Sequence, residues 1–196
     1  VYPVCIGSTG NMAATCALAA RVYRNIDPEF AATCLDAAKR AYAWLEKNPN
    51  FVYPYPGNYY HVPTEFIGVS EKDEVLWAKV ELYATTGEDK YLDGVETLLD
   101  SEELTDFSYH NRGGMAVLAL FSGDLHLPEN MEKKMKAAME AVAKELKALA
   151  DKSGWGVPIN PDTMDGDYNF NQIFATSVIK MIMANGFDAS VECESA

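Results

Sequence analysis

The sequence predicts an all-α chain in which helical hairpins alternate between an inner and an outer ring, the architecture of an α/α toroid. Three observations carry this expectation. Helix start and stop signals recur along the 196 residues, while alternating apolar–polar runs are short and isolated. Successive helices switch between two characters, apolar over most of the circumference and apolar along one stripe. The connections switch in step, short ones within a hairpin and generally longer, aromatic-rich ones leading into the apolar helices.

The first helix is expected from Ser8 to Tyr23, with a small apolar interior of Met12, Ala13, Ala14, Cys16, Ala17, Ala19 and Ala20. Asp27-Pro28-Glu29 opens the second, Asp as N-cap and Pro in the first turn. It runs to about Lys47, before Asn48-Pro49. Ser70-Glu71-Lys72-Asp73 approximates a capping box and starts the third helix, which stops at Gly87. A short fourth helix holds Tyr91, Leu92, Val95, Leu98 and Leu99. The fifth spans Asn111 to Phe121 and stops at Gly123. Pro128 opens the sixth, which reaches Lys152. Its apolar stripe is Met131, Met135, Met139, Val142, Leu146 and Leu149. The seventh lies between Phe170 and Asn185, with Gly186 as a C-cap.

Helices one, three, five and seven are apolar nearly all round, as in Met115-Ala116-Val117-Leu118-Ala119-Leu120. A helix of that kind is surrounded by protein, whereas a striped helix such as the second, fourth or sixth keeps one wet face. The longer loops therefore gather at one rim, at the N-termini of the inner helices. They carry Phe51, Tyr53, Tyr55, Tyr59, Tyr60, His61 and Phe66, then Phe107, Tyr109 and His110, then Trp155, Asp162, Asp165, Asp167, Tyr168 and Asn169. Long loops on a rigid scaffold are where binding resides. Aromatic faces beside hydrogen-bonding groups suit sugar rings, which present C–H patches and hydroxyls. Packing of these aromatics onto the scaffold is the competing reading for each one taken singly.

The net charge of −13 repels phosphate backbones and anionic lipid, so neither nucleic acid nor membrane is an expected partner. Neutral glycans remain compatible. No apolar run approaches the roughly 20 residues of a membrane span, and no signal-peptide pattern opens the chain. Cysteines stand at positions 5, 16, 34 and 193 without zinc-like spacing. Cys16 and Cys34 fall at one level of the first hairpin. Two buried free thiols are expected there, with a disulfide as the alternative, since packed axes about 8–10 Å apart must bring Cα atoms within roughly 7 Å.

Several stretches resemble glycoside hydrolase family 9. Ser8-Thr9 leads into an Ala-rich helix ending Ala19-Ala20-Arg21-Val22-Tyr23. Asp27-Pro28-Glu29-Phe30-Ala31-Ala32-Thr33-Cys34-Leu35-Asp36-Ala37-Ala38-Lys39-Arg40 continues to Trp44-Leu45-Glu46-Lys47-Asn48-Pro49. The most specific stretch is Ser70-Glu71-Lys72-Asp73-Glu74-Val75-Leu76-Trp77-Ala78, followed by Glu81-Leu82-Tyr83-Ala84-Thr85-Thr86-Gly87 and Tyr91-Leu92. Gly156-Val157-Pro158 and Asp167-Tyr168-Asn169-Phe170 resemble a later loop. The resemblance reaches to about Asp188.

It implies an (α/α)6 barrel, which has twelve helices where seven are read here, so the chain is expected to be an incomplete toroid forming one partial domain over residues 1–196. It also implies inverting hydrolysis of β-1,4-glucans such as cellulose, outside the cell. Partners are then a β-glucan or cello-oligosaccharide and the remainder of the catalytic domain. The family's base, in an Asp-Ala-Gly-Asp type motif, and its distant acid Glu do not occur in this chain. An inverting enzyme needs two carboxylates about 6.5–9.5 Å apart, so no catalytic residue is assigned and the isolated chain is expected to be inactive. The residues expected to bind substrate are Tyr59, Tyr60, His61, Tyr109, His110, Tyr168 and Phe170. Tyr109 and Phe170 stand where many members carry Trp. Asp73 and Glu74 match carboxylates that ligate a structural Ca2+ in some members, although His110 and Asn111 replace a further Asp; helix capping is the alternative, and no other cofactor is expected. The helix dipole favours the ionised form of both, against a general-acid role. Asp165 and Asp167 are expected to be solvated or loop-ordering. A non-catalytic glycan-binding protein on the same scaffold is the alternative function. A third is another toroid enzyme using His61 and His110.

Overall fold

A computed structural model describes residues 4–51, 71–107, 111–122, 125–159 and 170–187, with the side chains of 170–172 left out. The described residues form seven α-helices, one 3-10 helix and no strand. Two compact units organise the chain, Val1–Ala119 and Leu120–Ala196.

In the first unit, α1 (Ile6–Tyr23) starts two residues before the expected Ser8. Cys5 is the reason: its Sγ accepts from the Ser8 N–H at 3.4 Å, a sulfur cap not among the usual Ser, Thr, Asp and Asn signals. α2 (Pro28–Lys47) begins as read, with Asp27 Oδ1 accepting from the Phe30 N–H at 3.0 Å. α3 (Lys72–Thr86) has Glu71 at its N-cap without a side-chain cap bond. The expected capping box rests on Ser70, which lies outside the described residues. Gly87, at φ 69°, ends α3 with its N–H on the Tyr83 carbonyl. The expected fourth helix is two pieces, a 3-10 turn (Asp89–Leu92) and α4 (Val95–Ser101). Gly94, at φ 71°, breaks them apart. α5 (Gly113–Phe121) starts two residues later than read.

The packing of this unit follows helix character. α1 packs extensively on both α2 and α3, while α2 touches α3 only slightly, and the 3-10 turn and α4 cover α3. The two apolar helices therefore form one wall, with the striped α2 outside α1. The core joins Ala13, Ala14 and Ala17 of α1, Ala38, Tyr42 and Leu45 of α2, Trp77, Ala78 and Leu82 of α3, and Tyr91. α1 is not covered all round: Met12 and Val22 are exposed, as is Ile26 in the turn beyond it. The thiols of Cys5, Cys16 and Cys34 are free; Cys34 is buried and Cys16 only partly so.

In the second unit α6 (Glu129–Lys152) packs on α7 (Phe170–Phe187). The buried seam of α6 is Met131, Met135, Met139, Ala143 and Ala150, so its second half is offset by one residue from the expected Val142 and Leu149. Glu132 holds the entry of the chain, accepting from the Leu127 N–H at 3.0 Å and pairing with Lys136 at 3.1 Å. Gly186 is no C-cap. It lies inside α7, where an added Cβ would stand 2.3 Å from Phe121 Cε2. The glycine admits the Phe121 ring, which meets Phe187 edge-on at 5.6 Å. Phe174, Ile179 and Ile182 of α7 are exposed. Among the described residues no helix is long and apolar enough to cross a membrane.

Candidate functional site

Asp73 and Glu74 sit in the first turn of α3, where the helix presents unsatisfied N–H groups. Asp73 is fully buried. Its Oδ2 accepts the Arg112 N–H at 2.5 Å, immediately before α5 begins. Asn111 Oδ1 accepts the Gly113 N–H at 2.8 Å. One carboxylate in the first turn of α3 thus accepts from the main chain at the start of α5. This ties together the starts of two helices that the sequence places on the inner wall.

Close approach at this junction depends on glycine. A Cβ on Gly113 would lie 2.0 Å from the Glu103 carbonyl oxygen, and one on Gly114 would lie 2.6 Å from the Asp106 carbonyl oxygen. On the other side, Gly10 of α1 allows α3 to press in; its Cβ would stand 2.8 Å from Glu74 Cβ. A Cβ on Gly7 would lie 3.3 Å from a Glu71 carboxylate oxygen and 3.4 Å from one of Glu74, which places these two acidic side chains side by side.

Three carboxyl groups crowded at one junction repel one another. Burial, then the charge and hydrogen bond of Asp73, with Glu71 a lesser contributor, push Glu74 up to about 8. The expectation that the helix dipole keeps Glu74 ionised is therefore corrected: desolvation and like charge outweigh it. Asp73 Oδ1 and Glu74 Oε2 are buried without a hydrogen-bond partner. Hard oxygen atoms left unpaired in this way fit a cation such as calcium. Among the described residues no group of three or more His, Cys, Asp or Glu gathers as a ligand set.

The expected substrate-binding residues Tyr59, Tyr60, His61, Tyr109, His110 and Tyr168 lie outside the described residues, as do Asp162, Asp165 and Asp167. Phe170 is the first residue of α7. Three loop aromatics are described. Phe51 packs edge-on against Trp44 at 5.5 Å, and the Phe107 ring presses on Gly114, so both pack onto the scaffold. Trp155 does not: it is 93% exposed on the turn after α6. The residues that sequence reasoning missed are Arg112, whose main chain meets Asp73, and Gly7 and Gly10. A small-x-x-small spacing in an otherwise Ala-rich helix was the available signal for the glycines.

The family model for glycosyl hydrolase family 9 matches residues 3–191, and the chain belongs to that family. Endoglucanase D of Acetivibrio thermocellus is 30% identical over 147 residues, which are 74% of this chain and 22% of that protein. Endoglucanase C of Cellulomonas fimi is 28% identical over 190 residues, 92% of this chain and 16% of that protein. Among solved structures, AaCel9A in complex with cellobiose-like isofagomine is 25% identical with a TM-score of 0.75, covering 95% of this chain and 35% of that one. A single mutant of a thermostable endoglucanase from Alicyclobacillus acidocaldarius is 25% identical with a TM-score of 0.76, covering 96% and 35%. The fold class is that of a partial (α/α)6 barrel. The chain spans about a fifth of the length of these curated relatives and about a third of these solved structures.

Proposed function

We propose that this chain contributes wall and rim to a catalytic domain that hydrolyses β-1,4-glucans such as cellulose with inversion. The observation that carries this reading is the Asp73–Arg112 link, which holds the N-termini of α3 and α5 side by side. Family membership supports it, as do relatives named as endoglucanases and a solved structure holding a cellobiose-like ligand. Tyr59, Tyr60, His61, Tyr109, His110, Tyr168 and Phe170 are the proposed sugar contacts, and the exposed Trp155 on the turn after α6 is an aromatic face open to solvent. The chain holds no counterpart of the family's acid and base, so on this reading the remainder of the catalytic domain is its partner and supplies them. The proposed site of action is extracellular.

Asp73 and Glu74 are the proposed protein ligands of a structural calcium ion, the role their unpaired buried oxygens support. The ion would neutralise the repulsion at the start of α3. Activity and binding are tested together. The chain alone is expected to release no reducing ends from amorphous cellulose while binding cello-oligosaccharides in calorimetric titration. Steady turnover by the isolated chain would defeat the division of roles. Absence of binding would remove the sugar contacts and the glycan-binding alternative alike.

A further inference from the structure

Cys16 of α1 and Cys34 of α2 stand on the two helices of one hairpin, which pack extensively on each other. The connection between the helices is tight: the Tyr23 carbonyl accepts from both the Ile26 and the Asp27 N–H at 2.9 Å. Cys16 lies seven residues before the last residue of α1, and Cys34 six residues after the first residue of α2. At about 1.5 Å per residue the two stand within about 1.5 Å of one level.

The seam between the helices is narrow. The buried residues around this level are Ala13, Ala17 and Ala20 on α1 and Ala31 and Ala38 on α2. Helices packed through such short side chains have axes within about 8–10 Å of each other. With Cα atoms about 2.3 Å off each axis, squarely facing residues come no more than about 5.4 Å apart, inside the roughly 6.8 Å reach of a disulfide. Cys34 is buried on the stripe of α2 that also holds Ala31, Ala38 and Leu45, and Cys16 packs against the core that Ala38 and Leu45 enter while keeping part of its surface in solvent. The Cys16 thiol is pushed up by burial and also by Cys34, so the two sulfurs are close enough to feel each other's charge. Cys5 is committed elsewhere, capping α1 through Ser8.

We propose that Cys16 and Cys34 form a thiol pair that closes to a disulfide clamping α1 to α2 when the chain meets a small disulfide oxidant such as glutathione disulfide. The solvent-reachable Cys16 thiolate attacks one sulfur of the oxidant and forms a mixed disulfide, expelling the first thiolate. The Cys34 thiolate then attacks the Cys16 sulfur and expels the second. Two protein thiols are oxidised, the oxidant is reduced to two thiols, and the two protons leave with them.

The test is incubation of the whole chain with glutathione disulfide, followed by peptide mapping without reductant. The expected product is a Cys16–Cys34 cross-linked peptide, loss of two titratable thiols, and a rise in Tm on the order of 5–10 °C that reductant reverses. Cys16→Ser and Cys34→Ser should each abolish both the cross-link and the Tm rise. A mixed disulfide that stays on Cys16, a bond to Cys5 or Cys193 instead, or four unchanged thiols would each overturn the proposal. The mapping on unmodified chain holds whether or not a variant folds well.

Discussion

The Arg21 guanidinium lies 2.8 Å from the Glu81 carboxylate, and both side chains are more than nine-tenths buried. The pair spans α1 and α3. The Trp77 indole N–H donates to the other Glu81 oxygen at 3.2 Å. Arg21 also donates to Thr85 Oγ1, which in turn donates to the Ala17 carbonyl. Burial pushes Glu81 upward, and Arg21 and then Trp77 pull it back in part. Removing one partner strands the other charge in the core, so Arg21→Met or Glu81→Leu alone should cost about 3–5 kcal/mol, whereas the double substitution should cost less than either. Urea unfolding of the four chains measures this. Additive single losses would show that the two residues do not act as a pair.

Tyr42 gives the fold an alkaline limit. Its ring meets Tyr91 edge-on at 5.0 Å, and its hydroxyl accepts from Lys79 at 2.8 Å. Burial, with smaller contributions from Glu46, Tyr91 and Asp93, pushes the phenol up to about 12. A raised folded value means the folded chain keeps a proton that the unfolded chain loses near pH 10. Stability from this group is complete below about pH 10 and declines as pH rises toward 12. Tyr42→Phe should flatten that decline, read as urea midpoints at pH 9, 10 and 11. An unchanged slope in the variant would assign the alkaline loss to other groups.

What the sequence revealed was local, and what it hid was not. Asp27-Pro28 and Gly87 were legible because a cap satisfies groups a few residues away. Gly186 was misread because a capping glycine and a glycine making room for a ring look alike until Phe121 is brought beside it. The same holds at the candidate site. Asp73 and Glu74 stood out as acidic residues in a first turn, but their environment comes from Arg112 and Gly10, distant in the chain. A dipole argument sees only the helix itself and so missed the burial that pushes Glu74 upward.

Gly10 tests how tightly α3 is seated. Gly10→Ala would place a methyl group 2.8 Å from Glu74 Cβ and 3.0 Å from its backbone carbonyl carbon, neither of which can swing aside. A loss of about 1–3 kcal/mol is expected from such overpacking. Gly154 is the control, since nothing lies within 4 Å of the corresponding position and its φ is not positive. Gly154→Ala should be within about 0.5 kcal/mol of the parent. Equal effects at the two sites in thermal unfolding would mean that α1 and α3 do not meet as described.

Asp73 combines two roles that substitution can separate. Asp73→Asn keeps an oxygen for the Arg112 N–H but lowers the negative charge at the proposed calcium position. Asp73→Ala removes both and leaves a buried donor unsatisfied. In chelator the alanine chain should lose about 1–3 kcal/mol, and the asparagine chain less. Calcium at about a hundredfold excess over its dissociation constant should stabilise the parent by about 2.7 kcal/mol, a Tm rise on the order of 5–10 °C. Neither variant should show that rise. A parent chain whose Tm ignores calcium would reduce Asp73 to the tie between α3 and α5; an alanine chain as stable as the parent in chelator would remove that tie as well.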